Sequence, residues 1–373
     1  MKPKVMDSEL FEWLVSNGGR HLISIGIPTH SKGREVSQDR IRLKNQLAEV
    51  DSALDSRGVR RRDRDELLSD ARDLLEDVEF WEHQSDMLAV YVDDDGETHP
   101  VSVSEATTTV PSLVSDHFYL RYVLSEIDPL RLPVLVLTRG AVQLYELAGD
   151  RLARIAADLP ESFDDVNWFV DRESQLQQHS DRAGSQGVHH GHEPSADRAA
   201  DTNRFLRAVG DAISALHIDS PLVVLGDDPL VKRFGAIYSD DFLSPENSGI
   251  SRLEEARVVE LARPVFDEHR AKLEEQVVRE AVDALGRGMA TSEVEEALAD
   301  AAAGRIEKVV LYRDADPIWA AESGNDLTPQ DERGHDSVDM IDRLAVRALT
   351  TGAKVTVVST PIAGQQFVAV RRF

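Results

Sequence analysis

Gly184, Ser185 and Gln186 stand together in a polar stretch, residues 173–202, that has no apolar run. Glycine beside glutamine lets a backbone N–H and a side-chain amide orient a water against an ester carbonyl without any titrating group. Composition alone supplies such a triplet in many polar loops. His189, His190 and His192 follow closely, and imidazoles within four residues can face one ion. Their glycine-rich flanks fix no geometry, so a solvated loop and no structural metal are expected. The run RGVRRRDR places Arg57, Arg60, Arg61, Arg62 and Arg64 in the densest basic cluster of the chain. It reads either as an RNA-phosphate contact or as a solvated turn neutralised by Asp63 and Asp65.

Several chemistries fail on residue type. LGDDPL has one glycine and two carboxylates where a phosphate-cradling loop needs glycines, lysine and a hydroxyl. No G-x-S-x-G elbow is present, and the chain has no cysteine, which removes disulfides, thiolate metal sites and cysteine nucleophiles. Acidic pairs carry no information in a chain with 68 acidic against 42 basic residues and a formal charge of −26. No cofactor is expected. The negative field opposes adventitious binding to phosphate backbones, so any nucleic-acid contact must be local and aided by salt screening. The start, MKPKVMDSELFEWL, has no apolar run of signal-peptide length, and no segment approaches a membrane span. A cytoplasmic location, no membrane partner and a monomer are the expectations.

The elements that must carry these residues follow from periodicity. At 373 residues the chain is expected to form an α/β (α+β) protein of three domains: 1–130, 131–266 with the exposed loop 173–202, and 267–373. In the first, Asp7 is a helix N-cap, HLISIGIPTH a strand closed by Pro28, and Val36 to Leu54 a helix with Ile41, Leu43, Leu47 and Val50 apolar. A helix follows over Glu66 to Leu75, then strands on either side of Gly96, with Trp81 a buried aromatic and His83 a satisfied histidine. SDHFYLRYVLSEIDPL reads as a helix ending at Pro129.

In the middle, LPVLVL and AVQLYEL form a hairpin whose turn would use a positive φ at Gly140. The polar stretch ends in an amphipathic helix bearing Phe205, Leu206, Val209, Ile213 and Leu216, and strand Leu222 to Leu225 leads into another helix. In the last domain a helix over Glu268 to Leu285 has Leu273, Val277, Val278, Val282 and Leu285 apolar. A capping box at Ser292 and Glu295 opens a further helix ended by Gly304. Strands are expected at Lys308 to Tyr312, Lys354 to Ser359 and Gln366 to Val370, a helix at Asp336 to Thr350, and a surface loop over Ala321 to Asp336.

The order of these pieces is informative. The hairpin PVLVLTRGAVQLYEL, then LPESF, an exposed loop, the helix NRFLRAVGDAI, the strand PLVVLGDD and a long helix into a last α/β domain resemble the middle and C-terminal domains of the archaeal and eukaryotic class 1 peptide-chain release factors. The N-terminal half, with LISIGIPTH and FWEHQSDMLAVYV, is similar to bacterial and archaeal relatives of that family. In true factors a Gly-Gly-Gln tripeptide immediately precedes a helix holding an Arg-Phe pair, and its glutamine promotes hydrolysis of peptidyl-tRNA. Arg204 and Phe205 match that pair, but Gly-Gly-Gln is absent. Gly184, Ser185 and Gln186 are the nearest match and stand farther from the helix than the family pattern allows. The Asn-Ile-Lys-Ser stop-codon motif is also missing.

The resemblance implies a non-decoding, ribosome-associated factor that occupies a tRNA-like site in hibernation or rescue. Its last domain would be similar to an RNA-binding ribosomal-protein α/β sandwich, and a translational GTPase is an implied partner. The arginines of the 57–64 cluster with Arg204, Arg371 and Arg372 would contact rRNA phosphates. Two alternatives stay open: a peptidyl-tRNA hydrolase using Gln186, and a stress-associated interaction module that does not bind ribosomes.

Overall fold

The computed structural model describes residues 3–30, 36–82, 84–104, 112–127, 129–149, 151–160, 162–163, 194–245, 249–250, 254–323, 326–334 and 337–373. They pack as two compact units where the sequence suggests three domains. One unit joins residues 1–129 to 271–373, and the other is 130–270.

The chain starts with α1 (Ser8–Ser16), whose first turn is capped by Asp7 accepting from the Leu10 N–H at 2.8 Å. Strand β1 (Gly18–Pro28) is buried continuously from Leu22 to Ile27 because both its faces are covered. Helices α2 (Val36–Ser56), α3 (Arg61–Leu67), α4 (Ser69–Asp73) and α5 (Val78–Trp81) lead to β2 (Met87–Val92), β3 (Thr98–Val103) and β4 (Leu113–His117). The four strands form an antiparallel sheet in the order β3-β2-β1-β4. Alternation sends Ile23, Ile25 and Ile27 to one face, where they meet Leu43, Leu47, Val50, Leu54, Phe80 and Trp81 from the helices.

Some expectations fail here. Ile41 is 57% exposed, so it lies outside the stripe through Leu43, Leu47 and Val50. The helix expected over Glu66 to Leu75 is broken into α3 and α4 at Leu68. The helix expected from Ser115 to Pro129 is replaced by β4, an irregular run and a single 3₁₀ turn at Leu124–Glu126. The reason is competition for backbone donors. The N–H groups of Leu120 and Arg121 go to the Asp342 carboxylate at 2.8 and 2.9 Å, and that of Tyr119 goes to Ser24 Oγ at 2.9 Å. Phe118 is fixed by edge packing on Tyr91, at 5.3 Å between ring centres.

The second unit holds β5 (Leu132–Leu137), β6 (Val142–Ala148), β7 (Arg151–Arg154), α6 (Pro194–Ser214), β8 (Leu222–Gly226), α7 (Asp228–Gly235) and β9 (Phe242–Leu243). Its sheet runs β7-β6-β5-β8-β9, antiparallel on the hairpin side, with β8 parallel to both β5 and β9. Gly140 does not take a positive φ. The Thr138 hydroxyl holds the hairpin turn instead, donating to Ala141 O at 2.8 Å and accepting from Ala141 N–H at 3.0 Å. Leu216 lies past the end of α6 and is 38% exposed. Helix α8 (Glu255–Gly286) begins earlier than its expected start at Glu268 and runs through the cut expected near Phe266.

After α8 come β10 (Ala290–Thr291), α9 (Val294–Ala302), β11 (Ile306–Tyr312), β12 (Trp319–Ser323), β13 (Asp326–Pro329), β14 (Ser337–Asp339), α10 (Met340–Thr350), β15 (Lys354–Val358) and β16 (Phe367–Arg371). A mixed sheet runs β10-β16-β11-β15, and β13-β12-β14 form a small antiparallel sheet where a surface loop was expected. Ala320 and Val338 face the core while Glu322 points to Arg343, which explains strands in so acidic a segment. The capping box at Ser292 is absent. Its role passes to Thr291, whose hydroxyl accepts from the Glu293 N–H and donates to Glu296. Leu273 is 41% exposed.

One apolar cluster draws on both ends of the chain: Leu22, Met87, Tyr91 and Phe118 with Leu298, Leu311, Leu344 and Phe367. A buried ionic seam runs through it. Arg121 Nη1 lies 2.6 Å from Asp339 Oδ2, the Tyr119 hydroxyl donates to the same oxygen at 3.1 Å, and Asp342 receives the two N–H groups named above. Burial first, and the neighbouring Asp339 carboxylate second, push the Asp342 carboxyl up to about 7.

Candidate functional site

Helix α6 begins at Pro194, so its first turns occupy residues 194–202, where an exposed loop was expected. Phe205, Leu206, Val209 and Ile213 are buried against β5, β6 and β8 and against Leu230, Val231 and Phe234 of α7. The Arg139 guanidinium lies 5.4 Å from the Phe163 ring centre, and Phe163 packs edgewise on Phe205 at 5.6 Å. Phe163 N–H also donates to Arg139 O at 3.0 Å, which ties the LPESF segment to the β5–β6 turn. Gly210 leaves room for the Tyr238 ring just beyond α7, since a Cβ there would sit 3.3 Å from it.

The opposite face of α6 is a shallow groove of about 480 Å³ lined by Ala200, Asn203, Arg204, Arg207, Ala208 and Asp211. Arg204 and Arg207 are exposed there, with Arg204 paired to Asp201 at 3.1 Å. Arg233 of α7 donates to Asn203 Oδ1 at 2.7 Å and to Ala199 O at 3.0 Å, fixing the groove's floor. Of the expected site residues, this arrangement brings forward Arg204. Arg207 was passed over, although its one-turn spacing from Asn203 on the polar face was there to read. Gly184, Ser185 and Gln186, with His189, His190 and His192, lie outside the described residues.

The 57–64 cluster divides into two groups. Arg64 is turned inward, its side chain 11% exposed, bonding Asp55 and donating to Val59 O at 2.7 Å with Asp51 at 3.4 Å. The Arg57 guanidinium donates to Val114 O. Arg60, Arg61 and Arg62 are exposed at the start of α3, and Arg61 reaches Asp65 only at 3.8 Å. The neutralising acids are therefore Asp51, Asp55 and Asp65, two of which α2 supplies from outside the cluster.

The C-terminal arginines are also spent on the fold. Arg371 binds Asp300 at 2.7 Å and Glu296 at 2.5 Å, and Arg305 binds the other oxygen of Asp300. Arg372 donates to the carbonyls of Ile306, Thr351 and Gly352 at 2.9, 3.2 and 3.1 Å, closing the end of β16 over the end of α10.

Among the described residues two acid and histidine groups come close enough to share an ion: Asp116, His117 and Glu322, and Asp93, Glu97 and His99. In the first, Arg343 already bonds both Asp116 and Glu322 and supplies the positive charge. The hydrogen bond from His117 holds Asp116 far below the usual carboxylate range, with Arg343 adding to it against burial.

Residues 133–305 match the model of bacterial archaeo-eukaryotic release factor family 3. Over those residues the chain is release-factor-like. The release-factor-like segment runs from β5 through both faces of the middle sheet, α6, α7 and α8 to the end of α9. Among solved structures, an archaeal translation termination factor, aRF1, is 16% identical, covers 98% of this chain and 97% of its own, and has a TM-score of 0.25. Archaeal Pelota, described in a ribosome-bound form with ABCE1, is 10% identical over 77% of this chain and 78% of its own, with a TM-score of 0.38. Dom34 of S. cerevisiae, described as a termination-like factor of RNA quality control that interacts with Hbs1, is 11% identical over 65% and 63%, with a TM-score of 0.31. No curated protein matches the chain. No helix among the described residues is long and apolar enough to cross a membrane.

Proposed function

We propose that the protein is a ribosome-associated translation factor that does not read stop codons and that occupies a tRNA-like site during hibernation or rescue. The observation that carries this reading is the release-factor-like segment, residues 133–305, which includes Arg204 and Phe205 in α6. The absence of Gly-Gly-Gln and Asn-Ile-Lys-Ser argues for a role other than termination. With a formal charge of −26, phosphate contacts must be few and local. Arg60, Arg61, Arg62, Arg204 and Arg207 are the arginines of the two candidate surfaces that project outward. Arg64, Arg371 and Arg372 hold the fold and contribute less. The partners in this reading are rRNA and a translational GTPase, in the cytoplasm.

Co-sedimentation with ribosomes from the same organism, across its internal range of ionic strength, tests the proposal. A saturable, salt-sensitive shift into the ribosomal pellet is expected. Free protein at every salt concentration overturns the reading. In the same preparation, release of a nascent chain that disappears in Gln186→Ala would replace the hibernation role with ester hydrolysis.

A further inference from the structure

A cavity of about 690 Å³ opens where the N-terminal segment and α1 meet the outer edge of the first sheet, with Lys4, Asp7, Glu9, Trp13, Glu97 and His99 in its wall. It lies wholly within the first unit. The N-terminal segment is pinned alongside β3, Lys4 N–H donating to Pro100 O at 2.8 Å and Ser102 N–H to Lys4 O at 2.9 Å. This register sets the Lys4 ammonium 2.8 Å from His99 Nδ1. An ammonium has only donors, so Nδ1 must be the acceptor. A neutral imidazole then carries its proton on Nε2. Burial first and the Lys4 charge second lower the His99 pKa, which keeps the ring neutral near pH 7.

The Nε2 atom is buried, in a residue only 6% exposed, and has no hydrogen-bond partner; the closest acid, Glu97 Oε1, stands 3.5 Å away. A buried donor without a partner costs free energy unless something supplies an acceptor. A metal ion does not fit, although Asp93, Glu97 and His99 stand near one another. The protonated Nε2 has no lone pair to give, and Asp93 Oδ1 already accepts from the N–H groups of Asp95 and Glu97. Beside this donor the cavity offers the Glu97 carboxylate, which accepts two parallel hydrogen bonds, and the half-buried Trp13 ring, 4.3 Å from the His99 ring centre.

A ligand for such a wall is flat, carries an acceptor next to two adjacent donors, and brings little negative charge past Asp7, Glu9 and Glu97. We propose that this cavity binds a guanine base, its O6 accepting from His99 Nε2, its N1–H and N2–H donating to Glu97, and its ring lying on Trp13. Adenine and cytosine set an amino donor beside a ring acceptor, which would turn a lone pair towards one Glu97 oxygen. Uracil has a single donor between two acceptors. The carboxylates keep phosphate outside, so the base enters as a nucleoside or as an unstacked residue of single-stranded RNA whose backbone stays in solvent. This inference does not rest on the ribosome reading, and either can fail alone.

The test is titration of the full chain with guanosine, adenosine, cytidine and 5′-GMP by calorimetry, with saturation-transfer NMR to locate the contact. Guanosine is expected to bind at least about tenfold more tightly than the other two nucleosides, as a bidentate base contact implies, and more tightly than 5′-GMP. Glu97 is a largely exposed side chain, so Glu97→Gln should fold normally; it turns one acceptor into a donor and is expected to remove the guanosine preference. Trp13→Leu should weaken all nucleosides together. A short single-stranded RNA with one guanine, compared with guanosine, identifies the source of the base. Equal affinity for the three nucleosides, no guanosine binding at millimolar concentration, or a preference that survives Glu97→Gln each overturns the proposal. So does displacement of guanosine by Zn²⁺ with retention of the ion by the Asp93, Glu97 and His99 group.

Discussion

Replacing Asp342 by Asn removes one titrating group from the seam that joins the two ends of the chain. The folded protein holds the Asp342 proton up to about pH 7, whereas an unfolded aspartate releases it near 3.9. Between those values the folded state binds the extra proton, so this group's contribution is fully present below about pH 4 and is lost as pH rises to about 7. Three units at 1.36 kcal/mol each give up to about 4 kcal/mol of pH-dependent stability from a single carboxyl. Asparagine keeps an oxygen for the Leu120 and Arg121 N–H groups but cannot ionise. Any cost of seating its neutral amide in the seam is the same at every pH. The informative quantity is therefore the stability difference between Asp342→Asn and the parent, measured by urea unfolding from pH 4 to 8. Tryptophan fluorescence suits the assay because Trp13, Trp81 and Trp319 all lie in the first unit. The difference should move in favour of the variant by up to about 4 kcal/mol across that range. Parallel pH profiles for the two proteins would refute the argument, because Asp342 would then titrate alike folded and unfolded.

Two further substitutions probe packing. At Gly226, paired with Leu137 across β5 and β8, a Cβ would lie 2.0 Å from Leu137 O. Gly226→Ala should therefore destabilise the second unit by about 3 kcal/mol or more, read as a fall in its thermal midpoint. Arg371→Ala leaves the nearly buried Asp300 with Arg305 as its remaining partner and should cost about 1–3 kcal/mol. Ribosome co-sedimentation of that variant, at a temperature where it stays folded, should match the parent, because the guanidinium is engaged internally.

Local signals in the chain were enough to place most elements. Asp7 caps α1, the Ile23, Ile25 and Ile27 alternation marks β1, and Gly304 ends α9 at a φ of +67°. Phe205, Leu206, Val209 and Ile213 define the buried face of α6, and they lie within residues 133–305, which match the release-factor family model. These are effects within a few residues, where periodicity and capping govern. The arginine cluster was also legible, but the partners of its members were not, because Asp51 and Asp55 reach Arg64 from a neighbouring helix.

What tertiary structure alone decided comes from pairs far apart in sequence. Asp342 takes the N–H groups of Leu120 and Arg121 from more than 200 residues away, and so prevents the helix that local pattern favours there. The same seam and its apolar surroundings draw residues 1–129 and 271–373 into one unit. Lys4 and His99 meet because the N-terminal segment adds to the edge of β3, and only that contact fixes which imidazole nitrogen carries the proton. Sequence spacing encodes which face of an element is apolar. The partner that face or charge finds is set by how separate elements close on one another.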